Sequence, residues 1–144
     1  MAYYASAEMG CHLALDWDPP NFILDLFSEF LCRTNGLKLL VRNNLLGALS
    51  IHGLEHIPLT KKKEMRELAL RGGPYSDAEQ ADLLDYCQTD VDALVALLPE
   101  MAPKISIDYA LIRVCYMKAV ARMESVGIPI DLPLLKLLKR LQTN

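Results

Sequence analysis

The tetrad Ser76-Asp77-Ala78-Glu79 constrains this chain more than any other stretch. A serine whose side chain can accept from the backbone N–H three residues on, with a glutamate there to reach back, is a capping box and starts a helix. Downstream, Leu83, Leu84, Cys87, Val91, Leu94, Val95 and Leu98 recur at helical spacing as far as Pro99. They predict one long amphipathic helix with a single apolar stripe. Tyr86 and Asp90 stand four residues apart, so both fall at one margin of that stripe, where a helix lines a cleft.

The rest of the chain is punctuated for helices too. Residues 3–15 are mostly apolar and read as a helix that ends before Pro19-Pro20. Leu26, Phe27, Phe30 and Leu31 recur at helical spacing, and Asn35-Gly36 stops that run. "LLVRNNLLGALSIHGL", residues 39–54, predicts a further helix closed by Gly53 and Pro58. "LTKKKEMRELALRGG" predicts a surface helix with Thr60 as N-cap and Gly72-Gly73 as terminator. After Pro103 a long helix runs to Gly127 and Pro129, and "LPLLKLLKRLQTN" opens one more. Six or seven helices with little strand make a mostly α chain.

Bulk properties narrow the function classes. With 144 residues there is enough chain for one domain with a core. A formal charge of -3 gives no basic footprint for a stand-alone DNA-binding module. The hydrophobic fraction, 52%, is high for a small soluble domain. No apolar run approaches the roughly 20 residues of a spanning helix, so no membrane partner is expected. The first residues lack a basic segment and carry Glu8, unlike a secretory signal. Some apolar surface is therefore expected to pack against chain that is absent. Cys11, Cys32, Cys87 and Cys115 form no C-x-x-C pair and read as buried, reduced thiols of an intracellular protein.

The chemical question centres on Tyr86 and Asp90. Nucleases that trim DNA 3' ends hold two divalent metals roughly 4 Å apart with clustered carboxylates. Hard oxygen donors suit Mg²⁺ or Mn²⁺. A tyrosine one helical turn before a metal-binding aspartate delivers a water-orienting hydroxyl to the same cleft. Other candidates have plainer explanations. Asp77 and Glu79 belong to the capping box. Asp16 and Asp18 form a D-x-D after an apolar run, with two prolines following it. Lys61, Lys62 and Lys63 could meet DNA phosphates, although three lysines opening a helix more often form a solvated face. His12, His52 and His56 lack a third ligand, and Trp17 and the tyrosines are not interleaved with basic residues.

"LDYCQTDVDALVALLPEM" resembles the third motif of the 3'-5' exonuclease domain in family A, polymerase-I-like DNA polymerases, in its tyrosine-bearing DEDD variant. "ILDLFSEFLCRTNGL", "LLGALSIHGL" and "KKKEMRELALRGGPYSDAE" look like successive segments of that domain. "YMKAVARMESVGIPIDLPLLKLLKR" is similar to the passage into the polymerase region. The resemblance implies an α/β RNase H-like exonuclease fold, here incomplete because its leading strands and their Asp-x-Glu have no counterpart. It implies a partial exonuclease domain over residues 1–104 and opening polymerase helices over 105–144. Asp90 and Glu8 match metal carboxylates for Mg²⁺ or Mn²⁺, Glu8 standing where the family usually has Asp, and Tyr86 matches the water-orienting tyrosine. The implied substrate is the single-stranded 3' end of DNA, in the cytoplasm, during proofreading. The missing strands or the polymerase remainder are the implied partners. The chain alone is expected to be inactive. The competing expectation is a non-catalytic helical interaction protein, or a decayed gene product that kept the scaffold.

Overall fold

A computed structural model describes residues 1–55 and 59–142. Among these the chain is mostly helical: α1 (Ala5–Ala14), α2 (Leu26–Thr34), α3 (Leu45–Ile51), α4 (Leu59–Arg71), α5 (Asp77–Met101), α6 (Ile107–Val126) and α7 (Leu132–Gln142). A 3-10 turn, Ala102–Lys104, links α5 to α6. The described residues include no strand. Extended backbone pairs only at one isolated parallel bridge, Ala2 to Asp25, where the Ala2 N–H donates to the Leu24 carbonyl at 2.8 Å and the Leu26 N–H to the Ala2 carbonyl at 2.9 Å.

Side-chain caps decide where several helices start. The Ser76–Glu79 box opens α5 as its sequence requires. Asp25 caps α2 by accepting from the Phe27 N–H. Helix α3 is shorter than the 39–54 pattern suggests. Asn44 adopts an extended conformation and its side chain accepts from the Gly47 N–H, so the helix cannot begin before Leu45. Gly47 is required there, because a Cβ would collide with the Arg42 carbonyl oxygen. Thr60 lies inside α4 rather than capping it. Pro99 does not end α5, which continues to Met101 before tightening into the 3-10 turn. A proline's missing N–H and its clash with the carbonyl four residues back are easiest to accommodate in a last turn.

Two apolar cores organise the packing. In one, Leu26 and Phe30 of α2 meet Leu45, Leu46 and Leu49 of α3, and Leu97 and Met101 of α5 close it. In the other, Ala5 and Met9 of α1 pack with Val114, Met117 and Ala121 of α6. The alanines let these two helices approach closely, and theirs is the most extensive helix pair among the described residues. Glu29, only 3% exposed, bridges the cores. Its two oxygens accept from Arg113 Nε and Nη2 of α6, both at 2.6 Å. Lys118 ties α6 to the Pro20 and Asn21 carbonyls at 2.6 and 2.9 Å.

The stripe read along α5 is not its buried face: Leu83, Leu94 and Leu98 are half-buried and Leu84, Cys87, Val91 and Val95 are exposed, whereas the buried residues, Leu97 and Met101, lie outside the stripe. The buried residues α5 shares with α2 and α3, Leu97 and Met101, lie toward its C-terminus, and α4 also packs on α5. The half-buried positions Tyr86, Asp90, Ala93 and Leu94 therefore form the inward line. The four cysteines are likewise free but exposed, not buried, since each falls on an outer helix face.

Breaking one side of the Glu29–Arg113 pair should be costly, because the buried carboxylate loses both charge-assisted donors. Arg113→Met is expected to lower unfolding stability by about 3 kcal/mol in chemical denaturation. Adding Glu29→Leu to that variant should recover most of the loss.

Candidate functional site

Helix α5 carries Tyr86 and Asp90 on its inward line, and α4 packs alongside and supplies their partner. Lys62 Nζ lies 3.4 Å from Asp90 Oδ1 and 5.9 Å from the centroid of the Tyr86 ring. One ammonium thus serves the carboxylate and the aromatic face together. Burial, and then the negative charge of Asp90, push the Tyr86 phenol up to about 12. A proton on that phenol is retained through the neutral pH range.

Asp90 stands in the walls of two adjoining cavities. The first, about 500 Å³, has an apolar floor from Leu45, Leu46, Leu49 and Ala93, with Lys61 and Asp92 among its polar residues. The second, about 510 Å³, is lined by Tyr3, Tyr4 and Phe27 on one side and by Asn43, Asn44 and Lys62 beside Asp90. Its aromatic wall is built edge to face. Phe27 meets the Tyr3 ring at 5.7 Å and the Tyr4 ring at 5.0 Å. The Tyr3 hydroxyl is buried with no hydrogen-bond partner among the described residues, and burial together with Asp25 raises its pKa.

Asp25 holds that wall in place. Its Oδ1 accepts from the Tyr4 N–H at 2.9 Å and the Phe27 N–H at 3.1 Å, and Oδ2 accepts from Ser28 Oγ at 2.7 Å. Glu8 sits on α1 near this carboxylate. One side of Glu8 remains open to solvent, yet protein atoms crowd the carboxyl. That burial and the Asp25 charge raise it to about 7, against backbone hydrogen bonds and the chain N-terminus, which pull it down. The electrostatic neighbours of Glu8 are thus Asp25 and the N-terminus, while that of Asp90 is Lys62.

The remaining candidates are dispersed. Lys61 joins the first cavity, and Lys63 pairs with Glu67 at 3.7 Å on the surface. Asp16 and Asp18 are exposed in the turn after α1, where the Asp18 carbonyl lies 3.1 Å from His12 Nδ1. His12 packs edge to face on Trp17. Glu79 is committed to Arg71, which reaches it with two nitrogens at 2.6 and 3.0 Å. Burial, and then the Arg33 charge, depress His52, with Glu100 opposing them. His56 lies outside the described residues.

Sequence reading overlooked the Asp25 junction and the inward turn of Lys62. An aspartate just before an apolar helical run is the N-cap signal that could have found the first. The second depends on how α4 packs and has no local signature.

Two hard divalent ions need several oxygen donors and a net negative pocket. Here an ammonium neutralises Asp90, and among the described residues no three His, Cys, Asp or Glu side chains converge. The residues present do not by themselves fit a two-metal centre. What they form is an aromatic and amide-lined recess with one neutralised carboxylate. Comparison with known proteins finds no matching family model, no similar curated protein and no similar solved structure.

Two titrations probe this geometry. Subtracting the ultraviolet phenolate titration of Tyr86→Phe from that of the wild type isolates Tyr86. Asp90→Asn should move its midpoint down from about 12, but not fully to 10, because burial is the larger cause. For Glu8, the folded carboxyl titrates near 7 against 4.5 unperturbed. The folded state therefore binds the extra proton, and stability falls as pH rises between those values. Glu8→Gln should flatten this slope. Above about pH 7 it should be more stable than wild type by on the order of 1 kcal/mol, a figure discounted for the open side of the carboxyl.

Proposed function

We propose that this chain is the helical part of a 3'-5' proofreading exonuclease domain of the family A DNA polymerase type, followed by helices of its polymerase region. The single observation that carries the reading is the Tyr86–Asp90 pair on the inward line of α5, with Asp90 lining recesses beside an aromatic wall. The order of the resembling segments along the chain adds support. In the parent RNase H-like domain, Asp90 and Glu8 would be the carboxylates this chain contributes toward Mg²⁺ or Mn²⁺, as part of a larger donor set. Tyr86, protonated at neutral pH, is the hydroxyl donor that positions water. The substrate is the single-stranded 3' end of DNA in the cytoplasm; of the three lysines, Lys61 and Lys62 line the recesses and Lys63 lies on the outer surface of the same helix.

Alone, the chain is expected to hydrolyse nothing. Its only D-x-E, Asp77 to Glu79, is consumed by the capping box and the Arg71 clamp. The Lys62–Asp90 pair favours the same expectation, because a metal would first have to displace the ammonium. A non-catalytic helical protein is the second reading, favoured by that ion pair. It requires stability indifferent to Mg²⁺ in both wild type and Asp90→Ala.

The test joins the leading strands of a polymerase-I-like exonuclease domain, Asp-x-Glu included, ahead of Met1. End-labelled single-stranded DNA is then followed with Mn²⁺. The folded chimera should shorten the strand, Asp90→Asn should abolish this, and Tyr86→Phe should slow it by about 10²-fold. The unfused chain should leave the DNA intact. A folded chimera without activity would overturn the nuclease reading.

A further inference from the structure

Helix α6 is apolar on two opposite faces. Its inner face, Ala110, Val114, Met117 and Ala121, is buried, and α1 is the helix packed there. On the other side Tyr109, Ile112, Tyr116, Ala119, Met123 and Val126 recur in alternating steps of three and four. At about 100° per residue they share one stripe, roughly opposite the buried face. All six are exposed, the five larger ones by 64–81%. An unbroken alternation of threes and fours is the narrow seam by which two helices pair, not the broad face a helix turns to a core.

The side chains along this seam complement themselves. Let two copies of α6 lie antiparallel about a two-fold axis, where residue i meets j and j meets i. Tyr109 then stands opposite Val126 of the second copy, Ile112 opposite Met123, and Tyr116 opposite Ala119. Each large ring meets a smaller side chain, and every layer occurs twice. Parallel pairing would set Tyr116 on Tyr116 and Ala119 on Ala119, overfilling one layer and leaving a void in the next, both of which destabilise. Charge follows the same register. Asp108 and Arg122 flank the seam on one margin, two heptads apart. Both are exposed, and neither is ion-paired among the described residues. The antiparallel arrangement puts Asp108 of each copy beside Arg122 of the other, at both ends of the contact. We propose that the outer face of α6 is a dimerisation surface, on which a second copy packs its own α6 antiparallel. The seam from Tyr109 to Val126 runs roughly 26 Å, and nothing in it depends on the nuclease reading.

Sedimentation equilibrium of the full chain tests this, with circular dichroism to follow helicity. The wild type should be a dimer at tens of micromolar. Ile112→Glu and Met123→Glu, both at exposed positions, should each give a helical monomer. Arg122→Asp sets acid against Asp108 at both ends and should weaken association by about tenfold. Adding Asp108→Arg re-pairs the charges and should restore it. Cys115 lies on the same margin midway between the two, so the thiols of the two copies face each other near the axis. In a chain carrying Cys11→Ser, Cys32→Ser and Cys87→Ser, all exposed positions, a short bismaleimide should join two copies through Cys115. A wild-type chain that stays monomeric overturns the proposal, whatever else then covers the stripe. So does a dimer that survives both glutamate variants. A helical Arg122→Asp, Asp108→Arg chain that fails to re-associate, or a dimer that is not joined through Cys115, overturns the antiparallel pairing.

Discussion

A buried carboxylate with three donors sets much of this molecule. Asp25 is 2% exposed, which would be prohibitive for an unpaired charge. The backbone N–H groups of Tyr4 and Phe27 and the hydroxyl of Ser28 satisfy it. In doing so it joins the first residues of the chain to the start of α2, beside the Ala2–Asp25 bridge. The aromatic wall of the recess exists because of that junction. The same charge acts outward, adding to burial in raising Glu8 and Tyr3.

The second constraint is the way α6 closes the structure. Small residues bring α6 against α1, and Arg113 neutralises Glu29 between the two cores. The helix beyond the 3-10 turn is thus packed against the opening helix of the chain. Helix α7 stands apart from this arrangement: its residues are exposed apart from a half-buried Leu135. Large outward side chains on α5, α6 and α7 are among the apolar residues that neither core absorbs.

Within the recess, charge balance matters more than residue identity. Asp90 and Tyr86 are the types a metal-assisted hydrolase uses, but a carboxylate beside an ammonium offers a cation little net attraction. Lys62 stabilises Asp90 and the ring face of Tyr86 at once, which keeps the pair in place with no metal needed. The proposed nuclease role therefore belongs to a larger donor set, in which Asp90 and Tyr86 are two members.

Local chemistry was enough to read most helices and several of their ends. The Ser76–Glu79 box, Gly36, Gly53 and Gly127 each act through the backbone of their own neighbourhood, and that information is carried in a few adjacent residues. The same holds for the placing of Tyr86 with Asp90, since residues four apart on a helix must share a side. Which side faced inward was not local. Periodicity along α5 is compatible with burying either Leu84, Val91 and Val95 or the line through Asp90 and Leu97. The packing of α2, α3 and α4 chose the latter. Tertiary structure likewise turned Lys62 onto Asp90, set Glu8 beside Asp25, and brought Arg113 to Glu29 across 84 residues of chain, because such pairings depend on distances in space that no spacing along the sequence encodes.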